Sequence, residues 1–313
     1  MKKTKNVCVV VLGDIWRSPR MQYHALSLAD HGCKVDMVGY SESAPSDNIK
    51  LTPLIRYHYL IPYPVLPLPR TLNYIFKTLW QSFTLLFVLV MNNTPDTVIV
   101  QNPPAVPSLL ICWFYTLLAR ANLIIDWHNY AHTIMALSVG PTNVLVKLTK
   151  EIEHFIGKRA NVNFCVTKAM RKDLEERWSI KGVTLYDRPP DKFRTISLEE
   201  KHTIWSKLGA EYPDLLDKDG GTVFTVADKG GDVSWRRGRP GLLLSSTSWT
   251  EDEDFSILFQ ALQEYEDTVE TQSAVFPSLI CIITGKGPLK DYYCEKNCFM
   301  QMEARESTYT LVR

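Results

Sequence analysis

Short apolar runs ending in polar or glycine-containing loops recur along the first half of this chain, with helix-period stretches between them. Val7-Cys8-Val9-Val10-Val11-Leu12, closed by Gly13-Asp14, predicts a parallel strand buried on both faces. Pro19 suits a first helical turn, and Met21, Ala25, Leu26, Leu28 and Ala29 give the following helix an apolar face that ends at His31-Gly32. Val35 to Gly39 is the next strand, so the chain opens as a βαβ unit and predicts a right-handed crossover in a parallel sheet. Thr97 to Val100 predicts a strand ending in Gln101-Asn102-Pro103-Pro104, and Ser108 to Ala119 a helix opened by Pro107. Asn122 to Ile125 predicts a strand that runs into Asp126-Trp127-His128-Asn129-Tyr130. Asn143 to Lys158 reads as a helix, Val162 to Val166 as a strand, and Lys168 to Trp178 as a helix capped by Thr167. Val183-Thr184-Leu185 is a short strand before Tyr186-Asp187-Arg188-Pro189-Pro190. This alternation predicts an α/β doubly wound domain over residues 1–196.

The pattern weakens over 197–240, which reads as a linker or irregular segment with turn signals at 217–221 and 229–232. Trp235-Arg236-Arg237-Gly238-Arg239 there reads as a solvated basic stretch. A second, partial α/β unit is expected over 241–293. Leu242-Leu243-Leu244 is its first strand, Ser245 to Thr250 the exit loop, and Thr250 with Glu253 has capping-box spacing for the helix that follows. Leu279 to Ile283 is the next strand and ends in Thr284-Gly285-Lys286-Gly287-Pro288. Residues 294–313 carry little periodicity and no convincing strand.

Composition narrows the class. A formal charge of +1 over 313 residues gives no electrostatic case for nucleic acid. The seven cysteines are an odd number lying mostly in apolar runs, which suits buried reduced thiols. Cys294 and Cys298 lack the partners of a zinc set, so no metal ligands are assigned. Lys2, Lys3 and Lys5 precede an apolar run too short for a signal peptide. Leu79 to Met91 is the longest apolar run, broken by Gln81, Ser82 and Thr84, and falls short of a bilayer span. With the Pro- and Tyr-rich stretch 57–69 before it, it reads equally as a surface lying on a membrane or as a buried helix.

Ligands in open α/β sheets bind beyond the carboxyl ends of the strands. Three candidate anion-holding loops occur there. Gly13 to Arg20 offers backbone donors, Arg17, Ser18 and Arg20 beside a helix start. Ser245, Ser246 and Thr247 form a second loop, and Gly285, Lys286 and Gly287 a third. The absence of G-x-G-x-x-G argues against a dehydrogenase. Such loops suit transfer of a group from a phosphorylated donor, where charge develops on a leaving diphosphate. A base for an acceptor hydroxyl is then needed, and Asp14, Asp126 and His128 are the candidates, with His132 weaker. The plainer reading of Asp126 to Tyr130 is a loop whose side chains satisfy local backbone groups.

Several of these stretches occur in the order of a known family: Gly13-Asp14-Ile15 with Arg17-Ser18-Pro19-Arg20-Met21-Gln22-Tyr23-His24, Gln101 to Pro104, Asp126 to Tyr130, Cys165-Val166-Thr167, Tyr186 to Pro189, Ser245 to Phe255 and Ile283 to Leu289. In them the chain resembles the chitobiosyldiphosphodolichol β-mannosyltransferases over residue 7 to about 293. The resemblance implies a GT-B fold, two Rossmann-like domains facing a cleft. It implies transfer of mannose from GDP-mannose to GlcNAc2-PP-dolichol, β1,4 and inverting, at the cytosolic face of the endoplasmic reticulum membrane, beside other mannosyltransferases of the pathway. No tightly bound cofactor is implied, and a divalent cation is left open because no ligand motif marks one. On the family's division of labour, Arg17, Ser18, Arg20, Asn129 and Tyr130 would face the acceptor. Ser245, Ser246, Thr247, Gly285, Lys286 and Gly287 would face the donor.

Three departures qualify the resemblance. Trp16 stands where the family has glycine, a residue free to take positive φ. The family's N-terminal membrane helix is not matched, which shifts membrane contact to 57–91. The 73 residues after Pro240 (313 minus 240) hold only two strand–helix units, and the family's later Leu-Pro-Met-Lys stretch is not matched. A C-terminally truncated, catalytically inactive form that binds acceptor lipid or partner enzymes is therefore the alternative expectation.

Overall fold

The computed structural model describes residues 4–43, 52–64, 66, 67, 69–92, 94–189, 193–219, 221–250, 253–271, 276–295 and 309–312. The chain divides into two units, 1–189 and 190–313. The first boundary therefore falls before residue 196, at the end of the Asp187-Arg188-Pro189 stretch.

Unit 1 is built on seven parallel strands: β1 (Asn6–Asp14), β2 (Lys34–Tyr40), β3 (Ile55–Tyr59), β4 (Thr97–Asn102), β5 (Asn122–Trp127), β6 (Val162–Cys165) and β7 (Val183–Thr184). Their order in the sheet is β3-β2-β1-β4-β5-β6-β7. The order reverses between β1 and β4, so a ligand crevice is expected at the carboxyl ends of β1, β4 and β5. Period-2 geometry explains the unbroken apolar run of β1. Cys8, Val10 and Leu12 enter one core with Val98, Val100, Leu123 and Ile125. Val7, Val9 and Val11 enter the other with Val35, Met37, Ile99 and the helix residues Met21, Ala25 and Ala29.

Helices α1 (Pro19–Asp30), α2 (Arg70–Met91), α3 (Ser108–Ala119), α4 (Ala131–Val139), α5 (Val144–Gly157) and α6 (Lys168–Trp178) connect the strands. Asn143 caps α5 by accepting from Leu145 N, and Thr167 caps α6 by accepting from Met170 N. Strand β3 and helix α4 were not expected from the apolar pattern. In β3 the row Ile55-Arg56-Tyr57-His58-Tyr59 is mostly polar, and α4 is a helix of nine residues. Trp16 lies in a 3-10 turn (Ile15–Arg17) and is not among the residues of positive φ, so the turn accommodates a side chain where glycine was expected to be needed.

Helix α2 extends beyond the run 79–91, which was expected to fall short of a bilayer span, and has a buried and an exposed apolar face. Leu85 and Leu89 are buried in the core, whereas Leu72, Phe76, Leu79, Phe83, Phe87 and Val90 form an exposed apolar stripe at helical spacing. Its span Leu72–Met91 is long and apolar enough to cross a membrane by length and composition, yet one face belongs to the protein core.

Unit 2 corrects the expected linker. The described residues of 197–240 are folded: α7 (Leu198–Gly209) opens on a complete capping box between Ser197 and Glu200, and β8 (Thr225–Ala227) pairs antiparallel with β9 (Val233–Trp235). Leu215 and Phe224 pack with Ile280 and Ile282 of β11 (Leu279–Gly285) in one core. On the other side Cys281 and Ile283 pack with Trp249 and with Phe255, Phe259 and Leu262 around α8 (Ser256–Thr271). The basic stretch is likewise engaged, since Arg236 pairs with Asp217 at 2.8 Å and Asp219 at 2.9 Å.

Strand β10 (Gly241–Thr247) pairs parallel with β11, and β11 with β12 (Tyr309–Val312), a strand within the stretch expected to have none. Ser245, Ser246 and Thr247 lie inside β10 rather than in its exit loop. Glu253 does not sit at the third position of a helix capped by Thr250, because α8 starts later, at Ser256, whose N–H is met by Asp254. Glu253 instead accepts from the Thr247 hydroxyl and from Ser248 N at 2.8 Å, tying down the exit of β10.

The glycines after β11 serve chain packing. Gly285 has φ +138, and a Cβ there would overlap the Thr247 carbonyl oxygen; one at Gly287 would overlap that of Ser248. We expect Gly285→Ala to lower the urea midpoint of unit 2, at a cost of about 1–3 kcal/mol. An unchanged midpoint would contradict the packing role.

Candidate active site

One buried carboxylate at the carboxyl end of β5 ties the start of α1 to the loop that follows β5. Asp126, on β5, has no solvent exposure. Its register places it beside Gln101 of β4 on one side and Phe164 of β6 on the other. Arg20 reaches it from the first turn of α1: Nε donates to Oδ2 at 2.8 Å and Nη2 to Oδ1 at 2.9 Å. His24, one turn further along α1, brings its Nε2 to Oδ2 at 2.8 Å. His128 brings its own Nε2 to the same oxygen at 3.2 Å. Burial works to raise the Asp126 pKa, but hydrogen bonds from His128, His24 and Arg20 outweigh it and hold the carboxyl well below the usual carboxylate range. A carboxylate only accepts, so each imidazole donates through Nε2, and in the neutral ring Nδ1 is then the acceptor nitrogen.

The sequence-predicted residues fall into distinct positions around this anchor. Arg20 spends its third nitrogen on Asp187, at 2.8 Å, so the whole guanidinium is held by two carboxylates. Ser18 donates to Gln101 Oε1 at 2.6 Å, linking the ends of β1 and β4. Arg17 is exposed and makes none of the ion pairs found among the described residues. Asp14 accepts from Trp16 N at 3.1 Å. Burial works to raise its pKa, and hydrogen bonds from Ser43, Trp16 and Glu42 more than offset this and lower it. Asn129 is exposed, and its carbonyl accepts from Asn102 Nδ2 at 3.1 Å. The Tyr130 hydroxyl is turned to α6 and donates to Asp173 at 2.6 Å; burial first, then Asp173, raises its pKa. Trp127 is wholly core, its indole N–H on Asn163 Oδ1 at 2.8 Å. Gathered here are thus Asp126, His128, Arg20 and Ser18, with Arg17 and Asn129 at the rim.

Two groups escaped the sequence reading as site candidates. His24 lies on the same α1 face as Arg20 at i,i+4, a spacing that points both at the strand ends. Glu153 is fully buried on α5. Its Oε1 accepts from Asn102 Nδ2 and from Ala131 N, both at 2.7 Å, and its Oε2 from His132 N at 3.2 Å and from His132 Nδ1 at 2.6 Å. It caps the start of α4 and fixes the His132 ring. Its signal in sequence was a Glu in the core register of α5, between Thr149 and Ile156.

In unit 2, Ser246 and Thr284 share a hydrogen bond of 3.0 Å across β10 and β11, and Thr247 is bound to Glu253. Lys286 is exposed. Among the described residues no group of three or more His, Cys, Asp or Glu side chains is placed to hold a metal ion.

The Arg20–Asp126 pair gives a stability prediction. Removing one partner of a buried pair leaves an unpaired buried charge, so Asp126→Ala should cost about 3–5 kcal/mol in urea unfolding. A carboxyl depressed in the folded state contributes fully above its unfolded pKa of about 4, and that contribution fades as pH falls through and below it. Asp126→Asn should therefore flatten the acid limb of the stability profile. A loss below about 1 kcal/mol for Asp126→Ala would show that the pair does not anchor the strand ends.

Known proteins were compared with this framework. No family model matches the chain. Human chitobiosyldiphosphodolichol beta-mannosyltransferase is 43% identical over 302 residues, covering 93% of this chain and 65% of that protein. The Pongo abelii protein of that name is 44% identical with the same coverage. The UDP-glycosyltransferase TURAN of Arabidopsis thaliana is 38% identical over 332 residues, covering 95% of this chain and 70% of its own. The chain thus spans about two thirds of the length of these relatives. Among solved structures, sucrose-phosphate synthase from Thermosynechococcus elongatus aligns with a TM-score of 0.58 at 10% identity, over 98% of this chain and 70% of its own. Arabidopsis thaliana UGT89C1 complexed with UDP-L-rhamnose aligns with a TM-score of 0.53 at 11% identity, over 100% and 70%. At such identities the likeness concerns fold alone, and that fold is GT-B. The chain belongs to the glycosyltransferase family of the chitobiosyldiphosphodolichol beta-mannosyltransferases.

Proposed function

We propose that this chain acts in N-glycan precursor assembly, transferring mannose from GDP-mannose to GlcNAc2-PP-dolichol with inversion to a β1,4 linkage. The observation that carries the reading is the strand-end constellation in which one buried carboxylate holds two imidazoles, His24 and His128. The mannosyltransferase names of the relatives point the same way.

In this reading His128 is the base. Its Nε2–H is spent on Asp126, and Nδ1 accepts the proton of the attacking acceptor hydroxyl while that oxygen bonds to mannose C1 and the C1–O bond to the diphosphate breaks. Asp126 is assigned orientation of the ring and stabilisation of the imidazolium, in place of proton abstraction, because each of its oxygens already accepts hydrogen bonds. Asp14 carries a depressed carboxyl and is the weaker base. Arg17 and Asn129, exposed at the rim, are assigned to the acceptor diphosphate and sugars, with Ser18, Arg20 and Tyr130 shaping the loops that present them. Ser245, Ser246, Thr247, Gly285, Lys286 and Gly287 are assigned to the donor side, with Lys286 offering the charge for a diphosphate. A divalent cation carried in by the diphosphate remains compatible with this scheme. The place of action is the cytosolic face of the endoplasmic reticulum membrane, with the outer stripe of α2, Leu79, Phe83, Phe87 and Val90, as the contacting surface.

The test is transfer of radiolabelled mannose from GDP-mannose to a chitobiosyl-diphosphate phytanyl acceptor by the 313-residue chain. We expect labelled trisaccharide product, and His128→Ala is expected to cut it by about 100-fold or more while the chain keeps its circular dichroism. Retention of the acceptor without transfer would reduce the function to acceptor binding. Loss of both transfer and acceptor binding in the unmodified chain would overturn the proposal.

A further inference from the structure

The exposed apolar surface of unit 1 does not end at α2. Helices α2 and α3 pack together, α3 packs on α5, and α5 on α4. Their outer faces expose Phe114, Leu117 and Leu118 on α3, and Ile134, Leu137, Val144 and Leu148 on the hairpin of α4 and α5. Leu137 and Val144 are 71% and 75% exposed, among the most exposed large apolar side chains of the described residues. They flank the turn Gly140-Pro141-Thr142, where a water-facing hairpin carries polar side chains.

This hairpin is held rigidly. Gly140, at φ +86, ends α4, Asn143 caps α5, and Glu153 ties α5 to the first two N–H groups of α4. Its apolar tip is therefore presented at a defined position. Charge selects the occupant. Residues 70–91, 108–119 and 131–139, the spans of α2, α3 and α4, contain no carboxylate, whereas Lys77, Arg120, Lys147 and Lys150 are exposed around them. Glu151 is the exposed carboxylate of α5 and lies 4.0 Å from His154. An apolar surface ringed by cations matches the hydrocarbon boundary of a bilayer with anionic headgroups. It offers a protein partner few polar groups with which to fix an orientation.

We infer that the α4–α5 hairpin seats in the lipid bilayer, with Leu137, Val144 and Leu148 at the acyl boundary and Lys147 and Lys150 at anionic headgroups. Helix α4 starts at Ala131, with three residues between it and the end of β5 and Tyr130 at its N-cap, and carries His132 on its first turn. Seating the hairpin holds the carboxyl end of β5 within about the length of α4, roughly 13 Å, of the acyl boundary, a distance at which an acceptor on a lipid anchor can present its diphosphate. This consequence rests on the lipid-linked acceptor of the proposed function; the seating does not.

The test uses vesicles of phosphatidylcholine with phosphatidylserine, without donor or acceptor, so its outcome is independent of transfer. A phosphatidylcholine with a diazirine in its acyl chain is photolysed with the full chain, and labelled peptides are mapped by mass spectrometry. We expect label within 134–148 as well as on α2. The double variant Leu137→Asp, Val144→Asp should bind vesicles about tenfold or more weakly with unchanged circular dichroism. Label confined to α2 would overturn the proposal, whether or not the variant folds. So would a concentration-dependent dimer that the same substitutions dissolve, because the occupant would then be a second copy of the chain.

Discussion

Everything at the carboxyl end of the unit 1 sheet depends on the pairing of Asp126 with Arg20. Two charges taken out of water are costly, and a bidentate geometry with further hydrogen bonds to both partners compensates. Here the guanidinium is met by Asp126 and Asp187, and the carboxylate by Arg20, His24 and His128. Consequently α1 has one angular setting over the sheet, the 187–189 loop has an anchor, and two imidazoles share one acceptor. The same group that holds the architecture also sets which imidazole nitrogen carries a proton. Fold and chemistry therefore cannot be varied independently at this position.

Much of this was legible in the sequence because parallel strands covered on both faces leave continuous apolar runs. Val7 to Leu12, Thr97 to Val100, Asn122 to Ile125 and Leu279 to Ile283 all became strands, and Ser108 to Ala119 and Lys168 to Trp178 became helices at the expected ends. The polar strand β3 and the segment 197–240 were obscured for one reason. Their stability comes from long-range partners, Asp36 for Arg56 and His58, and Ile280 and Ile282 for Leu215 and Phe224, which local periodicity does not report. At the site, the cluster of polar types after β5 was visible, but not which members were buried. Asp126 read as a candidate base and is, with Trp127, fully enclosed. His24 and Glu153, sitting on helices, carry as much of the geometry as the loop does.

The glycines and hydroxyls of unit 2 teach a related point. Gly285 and Gly287 permit close approach, as their pattern suggests, but the group approached is the backbone at the exit of β10. Thr247 is held by Glu253 and Ser246 by Thr284. Donor-side roles for these residues, as proposed, would rest on backbone presented by a pre-formed loop, with Lys286 as the exposed charge. Unit 1, in contrast, places its apolar helices on the sheet side opposite α1, so one side is packed inward by Leu85, Leu89, Leu109 and Cys112 while its outer surface stays apolar.

The central claim is that Asp126 orients His128 and leaves Nδ1 as its accepting nitrogen. Its most direct measurement is the tautomer of His128, read from the 15N shifts of its two ring nitrogens in the folded chain at neutral pH. The account predicts a protonated Nε2 and an unprotonated Nδ1. A proton resident on Nδ1 with Nε2 bare would contradict it, because the ring could then neither donate to Asp126 nor accept from a hydroxyl at Nδ1.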